Sequence, residues 1–209
     1  MITKRKNQKN LLMDLNSIKQ INNTLSYIRI YDNVLSQDEC KAIIDEYSNS
    51  NEWKNPIVNR PEGLEINKKF RNCEVIPLSI EEIISVNYSV RKFIDNFLFK
   101  KINAAVDQYR KEYKECNVKY DSGYDLLRYP KGGYYCQHTD SYTETTRTLS
   151  MTINLNTDYQ GGELSFYGDD LKIRTNAGSA ILLPSNFMFP HEIKDVTEGT
   201  RYSIVTWFT

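Results

Sequence analysis

Residues 129–140 read YPKGGYYCQHTD, and the fold is decided by how that stretch ends. His138 and Asp140 stand two apart, with Thr139 between them. On an extended strand, residues i and i+2 point to the same side. The two side chains can therefore converge on one ion while Thr139 points away. A strand ending near Asp140 would let its shorter side chain reach back. The chain has only two histidines, and the second is His191, in PHEIKDVTEGTR, with Arg201 ten residues beyond it. Two imidazoles and one carboxylate are the ligand set that binds Fe(II) on one face and leaves the opposite face open. A lone His-x-Asp also arises by chance, with both histidines as ordinary core or surface groups. The flanking sequence has to decide between these readings.

From residue 121 onward, short β-rich segments alternate with turns. They read YDLLRY, YYCQHT, RTLSMTINLN, GELSFYG, LKIRT, SAILLP, PHEIKDV and RYSIVTWF. Gly132-Gly133, Gly161-Gly162, Gly168-Asp169 and Gly178 punctuate them. About eight strands at this spacing predict a double-sheet jelly roll, a fold that holds small ligands between its sheets. His138 and Asp140 then fall on or just after the second strand and His191 on the seventh.

The preceding residues read as support. Residues 24–34, TLSYIRIYDNV, alternate as a strand does. Ser36 is placed as an N-cap, with Asp38 and Glu39 in a first helical turn. Cys40, Ile43, Ile44 and Tyr47 then recur at helical spacing, which predicts a helix over about 37–48. Residues 49–63 carry Pro56, Pro61 and Gly63 and read as loop. Residues 71–77 read as one short strand ending at Pro77. Ser79 is a second candidate cap, followed by Glu81 and Glu82. From Ile80 to about Tyr113 the pattern is helical, in two helices or one broken one. Its apolar face runs through Ile83, Ile84, Val90, Phe93, Ile94, Phe97 and Leu98, then Ile102, Ala105, Val106 and Tyr109. Such a stripe packs a helix on the outside of a sheet. The predicted fold is mostly β with supporting helices: a flexible tail at 1–23, support at 24–120 and the jelly-roll core at 121–209, the last two forming one domain.

Composition narrows the class. Lys+Arg and Asp+Glu are both 27 in 209 residues, which does not suggest a strongly basic nucleic-acid binder. Cys40, Cys73, Cys116 and Cys136 are scattered without a CxxC pair, and they read as reduced thiols of a cytoplasmic protein. No apolar run has the length of a membrane helix or a signal segment. Richness in Lys, Asn, Ile and Tyr suits a microbial or viral coding sequence. There is no GxSxG, and His and Asp on one strand suit chelation better than a serine-hydrolase relay.

Read together, YPKGGYYCQHTD, RTLSMTINLN, GGEL at 161–164, Pro184, His191 and GTRYS at 199–203 through Trp207 resemble the Fe(II)- and 2-oxoglutarate-dependent dioxygenases, specifically their prolyl 4-hydroxylase-like branch. The similarity covers about residues 121–209, with a weaker echo at 27–50. The resemblance implies that His138, Asp140 and His191 bind iron and that Arg201 grips the distal carboxylate of 2-oxoglutarate. Collagen-type members usually have lysine at that position and related branches arginine. It implies that Tyr129 donates to the same carboxylate and that Asn154 stands where some relatives reach the co-substrate. Tyr135, Arg147 and Trp207 fall on the substrate side. On residue type alone, the two tyrosines serve equally as strand aromatics, Arg147 as a solvated charge and Trp207 as packing. The implied cofactors are Fe(II), 2-oxoglutarate and O2, with ascorbate as an accessory, and the implied partner is a peptide or protein that could be proline-rich. A free amino acid or another side chain is the alternative substrate, and a non-catalytic jelly-roll binding domain the alternative class. Nucleobase demethylases of the superfamily usually carry two arginines six apart, whereas here Trp207 follows Arg201 at that spacing.

Overall fold

A computed structural model describes residues 21–60, 63–79, 88–142 and 146–209. A 3-10 helix at Ile21–Tyr27 leads to β1 (Arg29–Tyr31) and α1 (Gln37–Tyr47). Next come β2 (Val58–Arg60), β3 (Gly63–Glu65), β4 (Arg71–Asn72) and β5 (Glu74–Pro77), then the long helix α2 (Tyr88–Glu112). The core strands are β6 (Asp125–Pro130), β7 (Tyr134–His138), β8 (Leu149–Asn154), β9 (Gln160–Gly161), β10 (Leu164–Phe166), β11 (Leu171–Ile173), β12 (Ala180–Pro184), β13 (His191–Ile193), β14 (Val196–Glu198) and β15 (Thr200–Phe208). A larger sheet runs β1-β12-β8-β15-β6-β5 and a smaller one β11-β10-β13-β7-β4, and the strand pairings are antiparallel.

Alternation along the strands of the large sheet sorts residues between two cores. Leu126, Leu182 and Ile204 face the helices, joining Cys40, Ile43, Leu98, Ile102 and Tyr109. Leu127, Ile181 and Leu183 face the small sheet, joining Leu164, Phe166 and Ile193. Helices, large sheet and small sheet thus stack as layers, and the jelly-roll core predicted from strand spacing is present. All eight predicted core strands form, and β9 and β14 add a small two-stranded sheet. Those two were too short to show a period. Their pairing depends on Gly161, whose Cβ would lie 2.1 Å from the Asp195 carbonyl oxygen.

Helix α1 begins as its sequence predicts. Ser36 Oγ accepts from the Glu39 amide, and the Glu39 carboxylate accepts from the Ser36 amide. Such a cap contributes about 1 kcal/mol. Other expectations need correction. The strand foreseen at 24–34 shrinks to β1, with a 3-10 helix before it and Asn33 in a left-handed turn after it. The single strand at 71–77 is two, β4 in the small sheet and β5 in the large one, so the chain changes layers at Cys73. On α2 the buried stripe is Ile94, Leu98, Ile102, Ala105 and Tyr109. Val90 lies ahead of the first packed turn and Phe93 one position off the stripe; they are 40% and 71% exposed. The helical start expected at Ser79, with Glu81, Glu82, Ile83 and Ile84, runs into 80–87, outside the described residues, as is most of the tail at 1–23.

Candidate active site

A cavity of about 240 Å³ opens between the two sheets. Strands β6, β8 and β15 form one wall, and β4, β7, β10 and β13 the other. His138, Asp140 and His191 meet on the small-sheet side. One donor atom from each lies within 4.8 Å of the others. Among the described residues, this is the His/Cys/Asp/Glu group able to hold a metal ion.

The backbone explains the convergence. His138 closes β7 and His191 opens β13, and the two pair directly across the ladder. Their ring centroids are 4.5 Å apart. Asp140 lies just past the strand end, where its amide donates to the Ser185 carbonyl at 3.2 Å. Between His191 and Ile193 the register slips, so Ile193 pairs with Tyr135 and β7 holds an extra residue. That bulge lets Tyr135 and His138, at odd spacing, share one face. Their rings stack with centroids 3.6 Å apart.

Hydrogen bonds settle which nitrogen each imidazole presents. His138 Nδ1 lies 2.9 Å from the Cys136 carbonyl oxygen, and His191 Nδ1 lies 3.0 Å from that of Phe189. A carbonyl only accepts, so each Nδ1 carries a proton and each Nε2 is the nitrogen left to face Asp140. Both Nε2 atoms lie 3.5 Å from Asp140 carboxylate oxygens. This is the arrangement in which backbone carbonyls orient metal-binding histidines. Burial pushes the Asp140 carboxyl up, but His191 and His138, with the Ser150 hydroxyl, outweigh it and hold the group well below the usual carboxylate range. Burial also holds the His191 imidazole below its ordinary value against the pull of Asp140. A carboxylate and two imidazoles, preset and partly desolvated, suit a divalent first-row cation.

Arg201 stands on the opposite wall, on β15, buried, with Nη1 donating to Ser203 Oγ at 3.0 Å. No carboxylate of the described residues reaches it, and a buried guanidinium calls for an anion. Tyr129 pairs with it across β6 and β15, and the guanidinium lies 5.3 Å from the tyrosine ring centre. Burial pushes the Tyr129 phenol far up, so it stays protonated and able to donate. Gly162 closes this end: a Cβ there would meet Arg201 Cδ at 3.1 Å. Gly162 therefore packs the arginine stem as well as turning the chain.

Tyr135, Arg147 and Trp207 all line the cavity. The Arg147 guanidinium lies 3.7 Å from the Trp207 ring centre, and its Nη1 is 3.4 Å from the Asp140 carbonyl. Asn154, whose place relative to a co-substrate the resemblance left open, is not among the cavity-lining residues. Its amide nitrogen donates to the Asn156 and Thr175 carbonyls, and its oxygen accepts from Tyr159. It ties down the end of β8 instead. Ser203, Arg71 and Asp125 line the cavity without having been singled out. Ser203 was findable, two residues from Arg201 on the same strand face. Arg71 sits on a two-residue strand that shows no period.

Residues 124–209 match the 2OG-Fe(II) oxygenase superfamily. A PKHD-type hydroxylase of Psychrobacter sp. is 41% identical over 75 residues, 34% of this chain and 28% of that protein. One of Picosynechococcus sp. is 38% identical over 38% of each chain. Human prolyl 3-hydroxylase 2 is 36% identical over 31% of this chain and 10% of its own. The chain thus spans well under half the length of these relatives. Among solved structures, a Trichoplax adhaerens prolyl hydroxylase in complex with a hypoxia-inducible-factor peptide superposes with a TM-score of 0.67 at 19% identity, covering 91% of this chain and 86% of its own. The viral collagen prolyl hydroxylase of Paramecium bursaria Chlorella virus-1 gives 0.63 at 19% identity, over 87% and 95%. With the His-Asp-His cluster and Arg201 both inside the matched segment, residues 124–209 are similar to the 2OG-Fe(II) oxygenase superfamily, and the chain has a fold shared with prolyl hydroxylases.

Proposed function

We propose that this chain is an Fe(II)- and 2-oxoglutarate-dependent dioxygenase that hydroxylates a C–H bond of a prolyl residue in a peptide or protein. The observation that carries the proposal is the pairing of two sites in one cavity. His138, Asp140 and His191 offer three preset donors, and across the cavity Arg201 is buried with no carboxylate of the described residues against it. Relatives named as prolyl hydroxylases support the prolyl substrate. The proposal covers the ring without choosing its carbon. Four unpaired cysteines are compatible with a reducing, cytoplasmic setting.

His138 and His191 would hold the ion through Nε2 and Asp140 through its carboxylate. Arg201, helped by the Tyr129 hydroxyl, would orient 2-oxoglutarate through its distal carboxylate, where a guanidinium forks onto two oxygens. Bound Fe(II), with 2-oxoglutarate and O2, would supply the oxidising chemistry that a side chain cannot, leaving succinate and CO2. The chain contributes orientation and exclusion of water. Leu164, Leu183 and Ile193 line the cavity with apolar surface, and the carbonyls of Cys136 and Phe189 fix both rings. Tyr135, stacked on His138, and Trp207 shape the side from which substrate approaches.

The test is succinate release from 2-oxoglutarate, with and without proline-rich peptides, read beside the mass of the peptide. Fe(II)-dependent succinate and a peptide heavier by one oxygen are expected. Metal-free protein with undiminished turnover would overturn the reading.

A further inference from the structure

The mouth of the cavity holds three charged groups that the iron end leaves unused. Arg71 projects from β4, Arg147 precedes β8, and Asp125 opens β6; all three line the cavity. The Arg71 guanidinium lies 4.6 Å from the Tyr135 ring centre, just as that of Arg147 lies over Trp207. Aromatic faces hold both cations in place. The Nε of each is sealed from solvent and has no hydrogen-bond partner among the described residues. Asp125 feels both charges, yet among the described residues neither arginine forms an ion pair with it.

Charge balance sharpens the point. Fe(II) with Asp140, and the 2-oxoglutarate dianion with Arg201, together come to no net charge. At the mouth, two guanidiniums face one carboxylate among the described residues. An unmatched cation beside apolar and aromatic walls favours an incoming anion, and a charge-assisted bond to a carboxylate also satisfies a bare N–H. We infer that Arg71 and Arg147 form a carboxylate-binding subsite, so that the substrate presents a carboxylate beside the C–H bond that reacts. This rests on the hydroxylase reading and narrows its substrate class. The carboxylate could belong to an acidic side chain next to the target, to a peptide C-terminus or to a free amino acid.

Matched acid and amide probes separate these sources. Doubly blocked Glu-Pro is set against Gln-Pro, N-acetyl-Ala-Pro acid against its amide, and L-proline against L-prolinamide. Binding is read by calorimetry on the full chain loaded anaerobically with Fe(II) and 2-oxoglutarate. The acid member of at least one pair binds about tenfold more tightly than its amide, as a charge-assisted bond predicts. Arg71→Met and Arg147→Met each shrink that ratio. Asp125→Asn widens it, a gain that misfolding cannot imitate. Equal binding of acid and amide in every pair, no binding of any probe, or a ratio that survives loss of both arginines would overturn the inference. Succinate release by the same wild-type preparation without probe is the control. If it is present, the hydroxylase reading stands while the subsite falls; if it is absent, both fall.

Discussion

The two faces of the large sheet are built from the same strands and serve opposite ends. On β15, Ile204 is fully buried against the helices, while Arg201, Ser203 and Trp207 line the cavity on the other side. On β6, Leu126 packs with the helices while Asp125, Leu127 and Tyr129 look the other way. The helix face is apolar and close-packed, so its residues are interchangeable within limits of volume. The cavity face keeps buried polar groups whose partners are incomplete among the described residues, as at Arg201. Such groups cost stability unless something binds them. The comparison teaches that alternation divides one strand between holding the fold and doing the chemistry.

Substitutions can break that division. His191→Ala on the cavity side should reduce succinate release to background while leaving the unfolding midpoint near that of wild type. A large loss of stability would show that the histidine is a core residue instead. Ile204→Ala on the helix side should behave in the opposite way, lowering stability by about 2–5 kcal/mol in denaturant titration. Its remaining folded fraction should keep the wild-type KM for 2-oxoglutarate. Arg201→Met should raise that KM by about tenfold or more, the worth of a charge-assisted hydrogen bond. It should leave Fe(II) binding intact, and an unchanged KM would remove Arg201 from the co-substrate site. Ser36→Ala, at the cap of α1, should cost about 1 kcal/mol and leave kcat unchanged. An altered kcat would mean that the helix layer reaches into the chemistry.

Much of the cavity face was legible because its signals are chemical. With only two histidines in the chain, His138 and His191 left few alternatives, and the i, i+2 spacing to Asp140 survives at the end of β7. Arg201 stood out as a charge within an apolar strand. Tyr135 reaches the cavity only through a bulge, which depends on pairing with β13 and leaves no mark in the local pattern. Asn154 holds the strand position that the resemblance picked out, but its amide is taken by backbone carbonyls, which the sequence does not show. Arg71 and Asp125 were missed because a two-residue strand and a strand's first residue carry no periodicity. On the helix side, Ser36 and Glu39 announced the cap of α1 through their types and spacing. The exposure of Phe93 depends on where α2 meets the sheet, which periodicity alone does not fix.

The central claim is that three side chains distant in sequence hold one ferrous ion. Anaerobic equilibrium dialysis of Fe(II) against wild type, His138→Ala, Asp140→Ala and His191→Ala tests it most directly. The account predicts a single ion bound per wild-type chain and a severe loss of affinity in each variant, with folding preserved. Wild-type affinity in all three variants would contradict it.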